Sequence, residues 1–291
     1  MTLIFALPLV GTLAAAYLTT SVHRRLRSDI AAKLSAVALA MLLLAAVPTL
    51  WLIGSSGLAH VGFRSPLTDW SEHLLPTLGP TGALVGMFAL ALMIAGAVRA
   101  FCVLRLHRRL RATQPSEVEI LPTSTVFAYT LPGSAGNIVL SEGLVASLSE
   151  RECQAVVAHE RAHARHRHDR YILFGRFATA LLPMTNGLCD RLEFSLERWA
   201  DDEAAVDVSD RRLVATAIAR VALAGSHPLP SVAGIARLGA VARAESLLAP
   251  APRPRVTSPV FALAGLALGA TMISTAFQLH HSVMFAATLV S

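Results

Sequence analysis

The chain has 291 residues, of which 54% are hydrophobic, 15% charged and only 6% aromatic. Its mean hydropathy of +0.56 is too high for an ordinary soluble domain of this length, so we expect the apolar residues to collect in membrane spans. The formal net charge of +6 would suit nucleic acid or an anionic surface. Because the arginines flank the apolar runs, the expected partner is the lipid bilayer and nucleic acid is excluded.

Four segments are apolar enough over about 20 residues to span a membrane: residues 2–18, 34–53, 82–104 and 259–277. We expect the first to be a retained span and not a cleaved signal peptide. Its positive charges follow the apolar run, whereas those of a signal peptide precede it.

The positions of the basic residues predict how these spans are oriented. Basic residues are concentrated in the loop at 21–33, after the third span at 105–111, and before the fourth span at Arg253 and Arg255. Cytoplasmic flanks carry such an excess. We therefore expect an inner-membrane protein with both termini outside. Residues 1–105 would hold three spans, 106–257 a cytoplasmic domain, and 258–291 the fourth span with a short tail.

The cytoplasmic segment begins with predicted strands and continues with helices. Residues 117–129 are rich in β-branched side chains and 137–140 form a second short apolar run, so we expect a hairpin whose turn lies at 131–136. Ser149 and Glu152 have the spacing of a capping box, which predicts a helix that continues through the following histidine cluster.

Further helices are predicted at 169–182, 190–206 and 210–223, before a looser, proline-rich end. Residues 171–182 are apolar apart from one arginine. We expect them to form an internal helix of the domain, because they are too few to span the membrane. An extra span here would also contradict the orientation that the basic residues beside the other spans predict.

The sequence His159-Glu160-Arg-Ala-His163 is an HExxH motif. Positions i and i+4 share one face of a helix, so both imidazoles can reach a single ion. Glu160 is rotated about 100° from His159, which places a carboxylate beside the ion as a general base. The pattern predicts Zn²⁺-dependent hydrolysis.

A catalytic zinc usually takes three protein ligands, and the third is expected from another segment. The candidate is Glu197, with Asp201 one turn later on the same face to orient a zinc-bound imidazole. Glu193 and Glu203 are alternatives, and an acidic, solvated helix face is the non-functional interpretation.

His166 and His168 extend the histidine cluster. His166 lies three positions past His163 and is an alternative ligand. The other interpretation is that residues 165–168 form a basic face near the anionic membrane.

The HExxH motif followed by Glu197-Arg-Trp-Ala-Asp201 resembles the gluzincin membrane metallopeptidases, and the span layout is most similar to the BlaR/MecR-type family. CaaX prenyl-protein proteases and heat-shock membrane proteases resemble the chain more distantly. The resemblance implies a mainly α membrane protein with four transmembrane helices and a cytoplasmic α+β zinc peptidase domain. It implies His159, His163 and Glu197 as zinc ligands, Glu160 as the base and Asp201 as a supporting acid.

The chain departs from these relatives in three ways. Many carry an acid at the position of His168. The distant families have a His-Pro pair with an arginine six positions later, thought to stabilise the oxyanion. Here His227 precedes a proline but Ala233 stands at that spacing, so His227 is a catalytic candidate and Arg237 or Arg243 a substitute arginine. The segment after the fourth span is too short for the extracellular β-lactam-binding domain of BlaR-type receptors.

We therefore expect a zinc endopeptidase that cleaves a protein or peptide substrate, either a transcriptional repressor or a membrane protein, at the cytoplasmic face. One alternative is a signalling protease that cuts a transcriptional repressor or itself, with the loop at 54–81 as its external sensor. Another is a non-catalytic membrane scaffold.

Overall fold

The computed structural model describes residues 26–63, 79–111, 118–132, 138–224 and 230–249. The predicted spans at 2–18 and 259–277, and His227, lie outside these residues. The described chain contains eight α-helices and one small sheet. The helices are α1 (Ser28–His60), α2 (Gly79–Arg111), α3 (Glu142–Ser147), α4 (Glu150–Arg165), α5 (His168–Leu181), α6 (Asn186–Asp207), α7 (Arg211–Ala224) and α8 (Pro230–Leu248).

Helices α1 and α2 contain the predicted second and third spans, and each is 33 residues long. Both are long and apolar enough to cross a membrane, which suggests membrane association. They pack against each other where Gly57 meets Gly86. A Cβ added to Gly57 would lie 2.6 Å from the Gly86 Cα, so the close approach requires glycine.

The sheet contains β1 (Val118–Leu121), β2 (Ala128–Thr130) and β3 (Ile138–Ser141), in the order β1-β3-β2. Strands β2 and β3 are antiparallel, which confirms the predicted pairing, but β1 runs parallel to β3. The prediction of a single strand over residues 117–129 is wrong, because this segment contains two separate strands, β1 and β2. The chain leaves the sheet after Leu121, where Pro122 has no N–H to donate. Strand β3 is paired on both sides, so β2 is an edge strand.

Helix α4 begins with the predicted capping box. The Ser149 side chain accepts the Glu152 N–H, and the Ser149 N–H donates to Glu152 Oε2 over 2.9 Å. The prediction that this helix continues through the histidine cluster is wrong. It ends at Arg165, and Arg167 adopts a left-handed conformation with φ of 53° before α5 starts.

Helices α6 and α7 confirm the predicted helices at 190–206 and 210–223. The prediction of a looser, proline-rich end is wrong for residues 230–248, which form helix α8. Pro230 occupies the first helical position, where a proline is tolerated. One apolar cluster joins Leu39 and Leu42 of α1 to Leu192 and Leu196 of α6. A second joins α4, α6, α7 and α8. Helices α4 and α6, which carry the candidate site, are packed between these clusters.

Candidate metal centre

The three predicted ligands converge on one point. Glu197 on α6 places one carboxylate oxygen 3.5 Å from His159 Nε2 and the other 3.4 Å from His163 Nε2. The two Nε2 atoms, both carried by α4, are 3.0 Å apart. All three donor atoms lie within 4.8 Å of one another.

This donor set fits Zn²⁺. Two imidazoles and one carboxylate are a common protein shell of catalytic zinc, which leaves a fourth position for water. Each imidazole has its Nδ1 beside another side chain, Asp201 for His159 and His168 for His163, so the two Nε2 atoms face the same point. Such an arrangement is stabilised by a cation or a proton between them.

Asp201, the acid expected to support a zinc-bound imidazole, lies beside His159. Its Oδ1 lies 2.9 Å from His159 Nδ1, and its side chain is 2% exposed. A metal bound at Nε2 would leave the ring proton on Nδ1, beside this carboxylate. Burial opposes protonation of His159, but the contacts with Asp201 and Glu197 outweigh it and raise its pKa to about 10.

Arg243 on α8 binds both acids of the site. Its Nε and Nη2 atoms donate to the two Asp201 oxygens over 2.7 Å each, and its Nη1 lies 2.8 Å from Glu197 Oε2. Burial raises the pKa of Glu197, but the Arg243 guanidinium and the two imidazoles hold that pKa well below its usual range. Both carboxylates are therefore ionised. The sequence offered Arg243 only as a substitute oxyanion arginine, and this double ion pair was not anticipated.

His168 lies behind His163. Their Nδ1 atoms are 3.0 Å apart, and His168 is fully buried. Burial, together with the charges of His163 and His166, lowers the pKa of His168 to about 3, so its ring is neutral and its Nδ1 can accept a proton from His163 Nδ1. The prediction that residues 165–168 form a basic surface is therefore wrong for His168, which is buried and neutral.

The general-base candidate, Glu160, is 8% exposed and contacts the edge strand. The Thr130 hydroxyl donates to Glu160 Oε2 over 2.7 Å and also lies 2.9 Å from the Glu160 carbonyl oxygen. Nothing in the local sequence around Thr130 marks a contact 30 residues away, so its part in the site could not be predicted from the sequence.

The alternative ligands are not brought to the centre. Glu193 lies 3.5 Å from Arg176 Nε. Glu203 contacts Arg165 over 3.1 Å and His166 over 3.4 Å, which also holds His166 away from the three donors. Arg165 additionally pairs with Asp207.

Two cavities of about 280 and 270 Å³ flank the three donors beside β2. Both are lined by His159, Glu160 and Glu197. The first also has polar and charged walls that include Thr130, Arg167 and Asp169. The second is mostly apolar, with walls from Val156, Val214, Ile218 and Val221. Ala128 of β2 also lines both cavities, and we call the two cavities together the groove beside β2.

The sequence model of Peptidase family M48 matches residues 99–188. No curated protein and no solved structure matches the chain significantly. The matched segment includes His159, Glu160, His163 and His168, whereas Glu197 lies beyond its end. Over this segment the chain is similar to the M48 metallopeptidases, which are typically zinc-dependent, and the match supports a metallopeptidase of that family.

Proposed function

We propose that the protein is a membrane-embedded, zinc-dependent endopeptidase whose site faces the cytoplasm. The observation that carries this proposal is the convergence of His159, His163 and Glu197, with Glu160 beside them and an edge strand along the groove. The basic flanks of the apolar helices support the cytoplasmic side.

The substrate would bind in extended form along β2. The outer edge of β2 has no strand partner within the described sheet, so a peptide can add main-chain hydrogen bonds there. The apolar cavity beside Val156 and Ile218 suits an aliphatic side chain next to the scissile bond.

Bound Zn²⁺ would supply Lewis-acid polarisation of the scissile carbonyl and acidify water. Glu160 accepts the proton of the attacking water and later delivers it to the leaving amine nitrogen. Thr130 holds the Glu160 carboxylate through its hydroxyl, while Asp201 and His168 hold the imidazole rings. The low exposure of these groups strengthens their electrostatic interactions.

The test compares the wild-type protein with Glu160→Gln in detergent, using β-casein as an unstructured probe. We expect the variant to retain stoichiometric zinc and to lose cleavage, because the amide cannot accept the proton. Wild-type cleavage by Glu160→Gln would remove Glu160 from the base role. Failure of the wild type to bind zinc would refute the proposed function as a whole.

A further inference from the structure

The turn between α5 and α6 is an uncharged protrusion. Residues 177–189 include no charged side chain, and Met184 at the turn is 72% exposed. The Thr185 hydroxyl is buried and donates to the Leu182 carbonyl over 2.8 Å. The turn therefore satisfies this hydroxyl internally and presents an apolar side chain outward.

A belt of charges lies just below this protrusion. Arg176 on α5 and Glu193 on α6 are 3.5 Å apart and connect the two helices at one level, with Asp190 and Arg191 one turn closer to the tip. Six residues separate Arg176 from Leu182, which corresponds to about 9 Å along the helix. An apolar tip of that height above a charged belt matches the depth of an interfacial insertion, about 5–10 Å.

The protrusion lies beside the membrane-length helices. A Cβ added to Gly96 of α2 would lie 2.9 Å from the Leu181 carbonyl oxygen. Gly96 is three residues before Arg99, which is the first charged residue of α2. The part of α2 before Arg99 exposes Leu84, Phe88 and Ile94. The tip therefore reaches the charged end of the lipid-facing stretch of α2.

The beginning of α1 lies below this level. The Ser28 hydroxyl donates to Asp202 over 2.8 Å, and Leu39 and Leu42 pack on α6. At 33 residues, α1 is about 50 Å long, well beyond the 30 Å hydrocarbon core. Its first turns can therefore belong to the peptidase core while its later turns cross the bilayer.

We propose that the α5–α6 turn inserts into the cytoplasmic leaflet, with the belt of Arg176, Asp190, Arg191 and Glu193 at the level of the lipid headgroups. The occupant of this apolar surface is the lipid bilayer itself, because the surface is continuous with the exposed apolar face of α2.

The lipid contact is tested with the full-length protein in phosphatidylcholine–phosphatidylglycerol vesicles, after Cys102, Cys153 and Cys189 are replaced by alanine. Met184→Cys carries a bimane label, and Val206→Cys, 74% exposed near the other end of α6, is the matched control. Lipids brominated in their tails should quench the label at 184 at least about twofold more than the label at 206, and aqueous iodide should do the reverse.

Equal quenching at the two positions would overturn the lipid contact. Asn186→Cys, exposed on the same turn, gives the same measurement if Met184→Cys does not fold. Zinc content measured on each variant reports on the metal centre separately from membrane depth.

Discussion

His168 supports His163 from behind, with the two Nδ1 atoms 3.0 Å apart and His168 fully buried. Its Nε2 has no hydrogen-bond partner among the described residues. When the neutral ring accepts the His163 Nδ1 proton, the His163 Nε2 lone pair is left for a metal ion. His159 receives the same support from a carboxylate, so the two imidazoles have chemically different partners.

His168→Leu should lower zinc affinity by about 10–100-fold, because His163 loses the acceptor that orients it. His168→Asp, which restores an acceptor, should retain zinc affinity close to that of the wild type. Competition with a chromophoric chelator measures both constants. Unchanged affinity in His168→Leu would show that the contact does not orient His163.

Glu197→Ala should lose most of the bound zinc, since two imidazoles alone leave the protein shell incomplete. Glu193→Ala, one turn earlier on α6 and paired with Arg176, is the matched control and should keep full metal content. Elemental analysis of the purified variants distinguishes them. Stoichiometric zinc in Glu197→Ala would show that another donor completes the site.

Arg243→Leu should destabilise the fold by about 3–5 kcal/mol, because it leaves the carboxylates of Asp201 and Glu197 without their cation. The Arg243 side chain is 18% exposed and that of Asp201 is 2% exposed, so water replaces the lost bonds poorly. Arg151→Leu removes the exposed pair with Asp210 and should cost at most about 1 kcal/mol. Unfolding in detergent compares the two, and equal costs would contradict a structural role for Arg243.

Thr130→Val should reduce the turnover rate about tenfold while leaving zinc content unchanged, because Glu160 loses a hydrogen bond that holds its carboxylate. Thr130→Ser retains the hydroxyl and should restore the rate. Casein cleavage measured at saturating substrate provides the comparison. A rate loss that Thr130→Ser does not rescue would indicate that the methyl group matters instead.

The Ser149–Glu152 capping box should make stability depend on pH. Hydrogen bonds from Ser149, reinforced by Arg220, lower the pKa of Glu152 in the folded protein below its ordinary value of 4.5. A lowered folded pKa means that this stabilisation is complete above pH 4.5 and is lost as the pH falls through the folded pKa.

Glu152→Gln should therefore cost about 1 kcal/mol at pH 7, and the cost should shrink toward pH 3. Unfolding of both proteins across this range measures the difference. A cost that stays constant with pH would assign the effect to packing alone.

The elements that the sequence predicted correctly are those governed by local rules. The capping box and the long apolar helices follow from neighbours within a few residues. The split of the predicted first strand into β1 and β2 could not be anticipated, because the parallel pairing of β1 with β3 joins residues about 20 positions apart.

For the metal centre, the sequence by itself determined that His159 and His163 share a face with Glu160 beside them, because helical periodicity alone imposes it. Only the tertiary structure decided that Glu197, and not Glu193 or Glu203, completes the set, since that depends on how α6 packs against α4. It also decided the role of His168. On a continuous helix this side chain would lie about 140° from His163. The left-handed turn at Arg167, a conformation uncommon outside glycine, returns it to the back of the His163 ring.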